Sequence, residues 1–262
     1  MLQQEHPRNK QREEEVGNWL YVQGMDLKDE RSEIDFSMLK ELESCLSKVQ
    51  QSDWCLNWAL KPAMLALIQA RFLEHPSERV QLIIASCFSD ILRITAPYLP
   101  YNDDIMRRIF SLIVGTFWDL DNGAGSTFRR KCKVLEAMAM GRTYEIMFNL
   151  ECDDLILQMF RCFFSIRKHH PDIVIAHMQS ILSSCMGHDE TICRELQFRL
   201  LNIWRRKRLV SPAAYELAQG LVEQNIEFLG RQLTREERLQ FHRSGSRNEL
   251  RRKGLCFICK EP

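Results

Sequence analysis

From Ser37 onward, apolar residues return again and again at i, i+3, i+4 and i+7, and this period decides what the chain can become. Val80, Ile83, Ile84, Cys87, Ile91 and Ile94 form one such face. Ile105, Ile109, Leu112, Ile113, Phe117 and Leu120 form another. Leu155, Ile156, Met159, Phe160 and Phe163 give a third, and Val174, Met178, Ile181, Leu182 and Cys185 a fourth. No run of strand-type alternation reaches a useful length. The scarcity of glycine (11) and proline (8) agrees with helices.

The breaks between these faces are regular. Pro76 opens one helix, Asn102 is placed to cap the next, and Asp121-Asn122-Gly123-Ala124-Gly125 is a loop. Pro171 and Ser211-Pro212 mark helix starts, where the missing proline N–H does no harm. The predicted pairs are 59–74 with 77–95, 103–120 with 127–141, 153–169 with 171–187, and 190–207 with 212–229, after a shorter helix near 38–50. Second helices begin near 78, 127, 172 and 212, a spacing of 49, 45 and 40 residues. Two-helix units of about 40–47 residues are those of HEAT arrays, in which each pair exposes an apolar face that its neighbour covers. The expected fold is therefore all-α, a HEAT-type α-α superhelix: a solenoid of about four helix pairs. An irregular helical bundle is the alternative.

Three domains follow from composition. Residues 1–37 are acidic, with five Lys/Arg against nine Asp/Glu, and are expected to be disordered apart from a short helix near Trp19. Residues 38–229 form the HEAT-like repeat domain and carry no net charge. Residues 230–262, with nine Lys/Arg against four Asp/Glu, form a basic, loosely ordered tail. A neutral body lacks the basic surface that gripping many phosphates requires.

The function classes narrow from there. The longest apolar stretch, Ile109 to Trp118, is far short of the ~20 residues that span a bilayer, so no membrane is expected. The start, Met1 to Pro7, has no apolar signal region. Most of the ten cysteines sit in apolar helical stretches, Cys87, Cys132 and Cys162 among them, as free thiols of a reducing compartment, cytosol or nucleus. No glycine-rich phosphate loop, Gly-x-Ser-x-Gly elbow or His-Glu-x-x-His is present, so no enzyme, cofactor or small-molecule substrate is expected. His169, His170, His177, Cys185, His188 and Cys193 are spread along helix faces rather than paired as zinc ligands, and no metal is assigned to them. Arg205-Arg206-Lys207-Arg208 ends a helix, where cations suit the macrodipole. Arg129-Arg130-Lys131 with Lys133 opens one, where solvated helix end, anionic partner and nuclear import signal all stay open.

The segment Asp90 to Tyr101 is the most specific in the chain. It is a buried helix stopped by Pro97 and followed by a stiff Pro-x-x-Pro turn, which presents Tyr98 and Tyr101 with little entropy to lose on binding. It resembles the sister-chromatid cohesion family named for precocious dissociation of sisters, especially its plant members. In that family a repeat helix ends in Asp-Ile-x-Arg-Ile-x-Ala-Pro-x-x-Pro-Tyr, and Asp90 through Tyr101 keep that frame. Leu42 to Val49 is similar to the family's opening helix, Asn149 to Leu157 with Met159-Phe160 to its Asp-Leu-Glu-Cys-Asp stretch, and His170-Pro171 to the next helix start. The resemblance runs from about residue 38 to 229.

It implies a non-enzymatic scaffold that binds the cohesin kleisin subunit and cohesin regulators, touches chromatin indirectly, supports cohesion and DNA repair, and resides in the nucleus. It also implies a partner-binding role for Ala96, Pro97, Pro100 and Tyr101. The two central positions usually read Asp-Ala in the family and are Tyr98 and Leu99 here, which removes a carboxylate. The tail differs. Arg251 to Pro262, with Cys256 and Cys259, resembles the first half of a retrotransposon Gag zinc knuckle and lacks the His and third Cys that complete it, as in a fused or truncated gene product. The alternatives are accordingly a retroelement-derived nucleic-acid-binding fusion and a generic helical-repeat adaptor.

Overall fold

A computed structural model describes residues 7–28, 36–49, 57–118, 120, 125–187 and 191–229. These form helices joined by short turns, with no strand among the described residues. None of the helices is long and apolar enough to cross a membrane. The tail from 230 on, including Cys256 and Cys259, lies outside the described residues, as does the loop 121–124.

The chain divides into two compact units, Met1–Ile181 and Leu182–Pro262. The first holds α1 (Pro7–Lys28), α2 (Phe36–Leu46), α3 (Asn57–Leu67), α4 (Ala70–Leu73), α5 (Glu78–Thr95), α6 (Asp103–Gly115), α7 (Ser126–Met140), α8 (Tyr144–Asn149), α9 (Asp153–Phe164) and most of α10 (Asp172–Met186). In the second, α11 (Thr191–Arg205) is followed by a 3-10 turn, α12 (Pro212–Gln224) and α13 (Ile226–Leu229). Its core includes Leu196, Leu200, Leu217 and Leu221, and Gln197 Nε2 donates to the Met186 carbonyl at 2.9 Å.

Helix starts follow local chemistry. Asn102 caps α6 by accepting from the Ile105 N–H at 3.1 Å, and Ser211 caps α12 by accepting from the Ala214 N–H at 3.1 Å, with Pro212 in the first turn. The first unit is organised around α5, whose residues Leu82 to Thr95 are buried except Arg93, so its neighbours must cover it on nearly every side.

Several elements differ from the predicted boundaries: the helices expected to reach 120 and 169 end at Gly115 and Phe164, the one expected over 212–229 is α12 and α13, and three further differences lie elsewhere. The short helix expected near Trp19 is the 22-residue α1, which lies against α3. Its inward stripe is Gly17, Leu20, Gly24 and Leu27, and the Arg71 guanidinium caps its end by donating to the Leu27 carbonyl. The helix expected over 59–74 is two, α3 and α4, because Gln69 takes an extended backbone at ψ 146°. A helix not anticipated, α8, stands between α7 and α9. It is bracketed by two left-handed residues, Arg142 and Glu151, each at φ 51°. Arg107 holds the second bend by donating to the Glu151 carbonyl at 3.0 Å and to Asp154 Oδ1 at 3.1 Å.

Burial sorts the thiols. Cys87, Cys152, Cys162, Cys185 and Cys193 are buried free cysteines, whereas Cys45 and Cys132 are half-exposed. Burial pushes the Cys162 thiol up to about 12 and raises Cys87 well above the ordinary range, where the Glu43 and Asp90 carboxylates reinforce the effect. Mass-mapped iodoacetamide labelling of the native chain at pH 8 should therefore modify Cys45 and Cys132 well before those five. Equal labelling of Cys87 or Cys162 under native conditions contradicts this core.

Candidate docking site

The turn between α5 and α6 has an inner and an outer side. Ala96 closes α5 through its N–H to the Leu92 carbonyl at 3.1 Å, and the Ala96–Pro97 peptide is cis. Tyr101 points inward: its hydroxyl donates to the Met64 carbonyl of α3 at 3.1 Å, and its ring meets Phe88 edge-on at 6.1 Å and 81°. Burial pushes the Tyr101 phenol up. Pro100 is half-buried and Pro97 exposed. The outer side consists of Tyr98 (62% exposed) and Leu99 (46%). Tyr101 thus acts as the anchor of the turn, and the pair that presents apolar surface to solvent is Tyr98-Leu99.

Beneath the turn lies a charged network joining three helices. The Asp90 side chain, 5% exposed, accepts from Arg93 Nη2 at 3.0 Å and from Lys133 Nζ of α7 at 2.9 Å. Arg93 also donates to the carbonyls of Val49 at 2.8 Å and Leu46 at 3.1 Å, which caps α2. Arg130 of α7 makes a two-pronged pair with Glu43 of α2, at 2.6 and 2.8 Å. Lys131 donates to the Trp118 carbonyl at 2.6 Å. Three of the four cations that open α7 therefore have partners inside the first unit, which accounts for cations at a helix N-terminus. The acceptors that explain them lie 13 to 87 positions away in sequence.

Among the described residues no three His, Cys, Asp or Glu come together as a metal cluster, and His188 lies outside them. His170 stacks on Phe128 at 5.6 Å. Cys185 and Cys193 are core residues.

Comparison with known proteins agrees with this architecture. The family model for the sister chromatid cohesion protein PDS5 matches residues 36–235. The chain is 38% identical to PDS5 homolog A of Arabidopsis thaliana over 189 residues, 71% of this chain and 12% of that protein. It is 33% identical to Arabidopsis PDS5 homolog C over 215 residues, 80% of this chain and 24% of that protein. It is also 33% identical to PDS5 homolog B-B of Xenopus laevis over 160 residues, 60% of this chain and 11% of that protein. The chain thus spans between 11% and 24% of the length of these relatives. A chain in the solved structure of the Pds5-Scc1 complex superposes with a TM-score of 0.63 at 22% identity, over 74% of this chain and 30% of that one, so the two share a fold. The matched region, 36–235, contains the turn, its anchor and the whole charged network, and the chain belongs to the sister chromatid cohesion protein PDS5 family.

Proposed function

We propose that this chain is a non-enzymatic, cohesin-associated scaffold that holds the kleisin subunit and cohesin regulators, supports sister chromatid cohesion and DNA repair, and works in the nucleus. The observation that carries the reading is the family match over 36–235, joined to a fold shared with a protein solved together with Scc1. Residues 38–229 serve as the partner-holding body in this reading. Within it, Ala96, Pro97, Pro100 and Tyr101 form the regulator-binding turn, in which Tyr101 sets the backbone and the outward Tyr98 and Leu99 supply apolar contact. A stiff turn loses little entropy on docking, and tyrosine is favoured at binding hot spots.

The test uses the full chain, immobilised and offered purified cohesin kleisin (Scc1) and, separately, duplex DNA. Retention of kleisin at physiological salt, without DNA, is the expected result. Failure to retain kleisin, together with DNA binding that weakens steeply with salt, would instead favour the nucleic-acid reading. A fluorescent fusion of the full chain excluded from the nucleus would overturn the assigned compartment.

A further inference from the structure

We propose that α1 and α3 together form a second docking platform, which takes the apolar stripe of a partner's amphipathic helix flanked by carboxylates. Half of this platform lies outside the family match: α1 precedes residue 36, whereas α3 falls within 36–235. Its exposed side chains lie outside the 96–101 turn, and α3 links the two, since the Met64 carbonyl accepts the Tyr101 hydrogen bond.

Gly24 sets how closely the two helices approach. A Cβ there would lie 2.4 Å from the Ala63 nitrogen and 2.9 Å from Pro62 Cβ, so the two helices meet backbone to backbone. Glycine within a helix costs about 1 kcal/mol against alanine, and here it permits this approach. Tyr21 lies beside Trp58, with ring centroids 5.6 Å apart, while Gly24 lies beside Pro62 and Ala63. Those two contacts set α1 and α3 running in the same direction.

With the inward stripe of α1 committed to the core, its other face should be polar if it met only water. Instead Tyr21, Val22 and Met25 are exposed there. On α3 the exposed stripe at i, i+3 and i+7 is Trp58, Lys61 and Leu65. Five of the twelve exposed large apolar side chains among the described residues thus gather on two adjoining helices, in the Trp, Tyr and Met composition typical of interface cores. From Trp58 to Leu65 the ridge runs about 10 Å, two helical turns, the length read by anchors at i, i+3/i+4 and i+7.

The charge on the α3 stripe favours one occupant, and the exposed Asp26 of α1 lies one residue beyond Met25. Lys61 sits in the middle of the ridge, exposed, with no hydrogen-bond or ion-pair partner among the described residues. A partner that covers the aromatic pair brings its own flank against this ammonium. A carboxylate there is attracted, and a cation costs affinity and on-rate.

The test measures fluorescence anisotropy of the full chain with three synthetic helical peptides that share one leucine stripe and differ only in glutamate, glutamine or lysine flanks. The glutamate-flanked peptide should bind most tightly. Trp58→Ala should weaken it by about 10-fold or more, Lys61→Glu should reverse the preference towards the lysine-flanked peptide, and both variants should melt with the parent because both side chains are exposed. Phe198→Ala, at an exposed phenylalanine of the second unit, should change nothing. Equal binding of all three peptides, or equal losses from Trp58→Ala and Phe198→Ala, overturns the proposal. Sedimentation showing a dimer that Trp58→Ala dissolves also overturns it, assigning the ridge to a second copy of the chain.

Discussion

Asp90→Ala is expected to destabilise the first unit by about 3 kcal/mol, the lower end of what breaking a buried ion pair costs. The carboxylate is 5% exposed and is the shared counter-charge of Arg93 and Lys133, whose side chains are 28% and 37% exposed. Its removal leaves two cations facing each other in a partly desolvated site, and their partial exposure keeps the loss from the top of the range. Arg93 also loses the carboxylate that orients its guanidinium towards the Leu46 and Val49 carbonyls. Packing of α2 and α7 against α5 should weaken with it. Asp90→Asn keeps the shape and one acceptor, and should fall between parent and alanine. Urea unfolding followed by far-UV circular dichroism measures this; a loss under about 1 kcal/mol for Asp90→Ala means that the network is solvated and contributes little.

Tyr101→Ala is the second large effect, about 3 kcal/mol, because it removes a ring packed on Phe88 and opens a cavity between α3 and α5. Tyr101→Phe keeps the ring, loses only the bond to the Met64 carbonyl, and should cost about 1 kcal/mol. Tyr98→Ala, on the outer side, should stay within about 0.5 kcal/mol of the parent. The pH dependence has a definite sign. The Tyr101 phenol titrates higher in the folded chain than in the unfolded one, so the stability it contributes is complete below about pH 10, the unfolded value, and is lost as pH rises beyond it. Tyr101→Phe should therefore lose stability less steeply on the alkaline side. Parent-like stability of Tyr101→Ala in urea would contradict the inward placement of this ring. Binding assays on the turn gain from the contrast, since Tyr98→Ala tests contact and Tyr101→Ala tests the scaffold beneath it.

These two residues also show how far a sequence reaches. Asp90 and Tyr101 were singled out by a motif, but the motif does not say which tyrosine faces solvent. Tyr98 and Tyr101 are three residues apart on a non-helical turn, where no period assigns faces. Only contact with Met64, 37 positions earlier, turns one ring inward. The cation run at 129–133 likewise has acceptors that no local pattern reveals, on α2, on α5 and at Trp118.

Periodicity, caps and breakers in the sequence by themselves determined an all-helical fold, the starts of α6 and α12 at Asn102 and Ser211, and the stripes that form the core. Those features act within a few residues, through backbone hydrogen bonding and the burial of one helical face. Tertiary structure alone decided the rest. The short α8 depends on left-handed Arg142 and Glu151, neither a glycine, the second held by Arg107 from another helix. The length of α1 was hidden because its apolar residues fall on two faces and blur the period; Gly24 against Ala63 shows which face goes inside. Partners of Asp90, Glu43 and Tyr101 come from distant segments, and distance along the chain places no limit on contacts that packing creates.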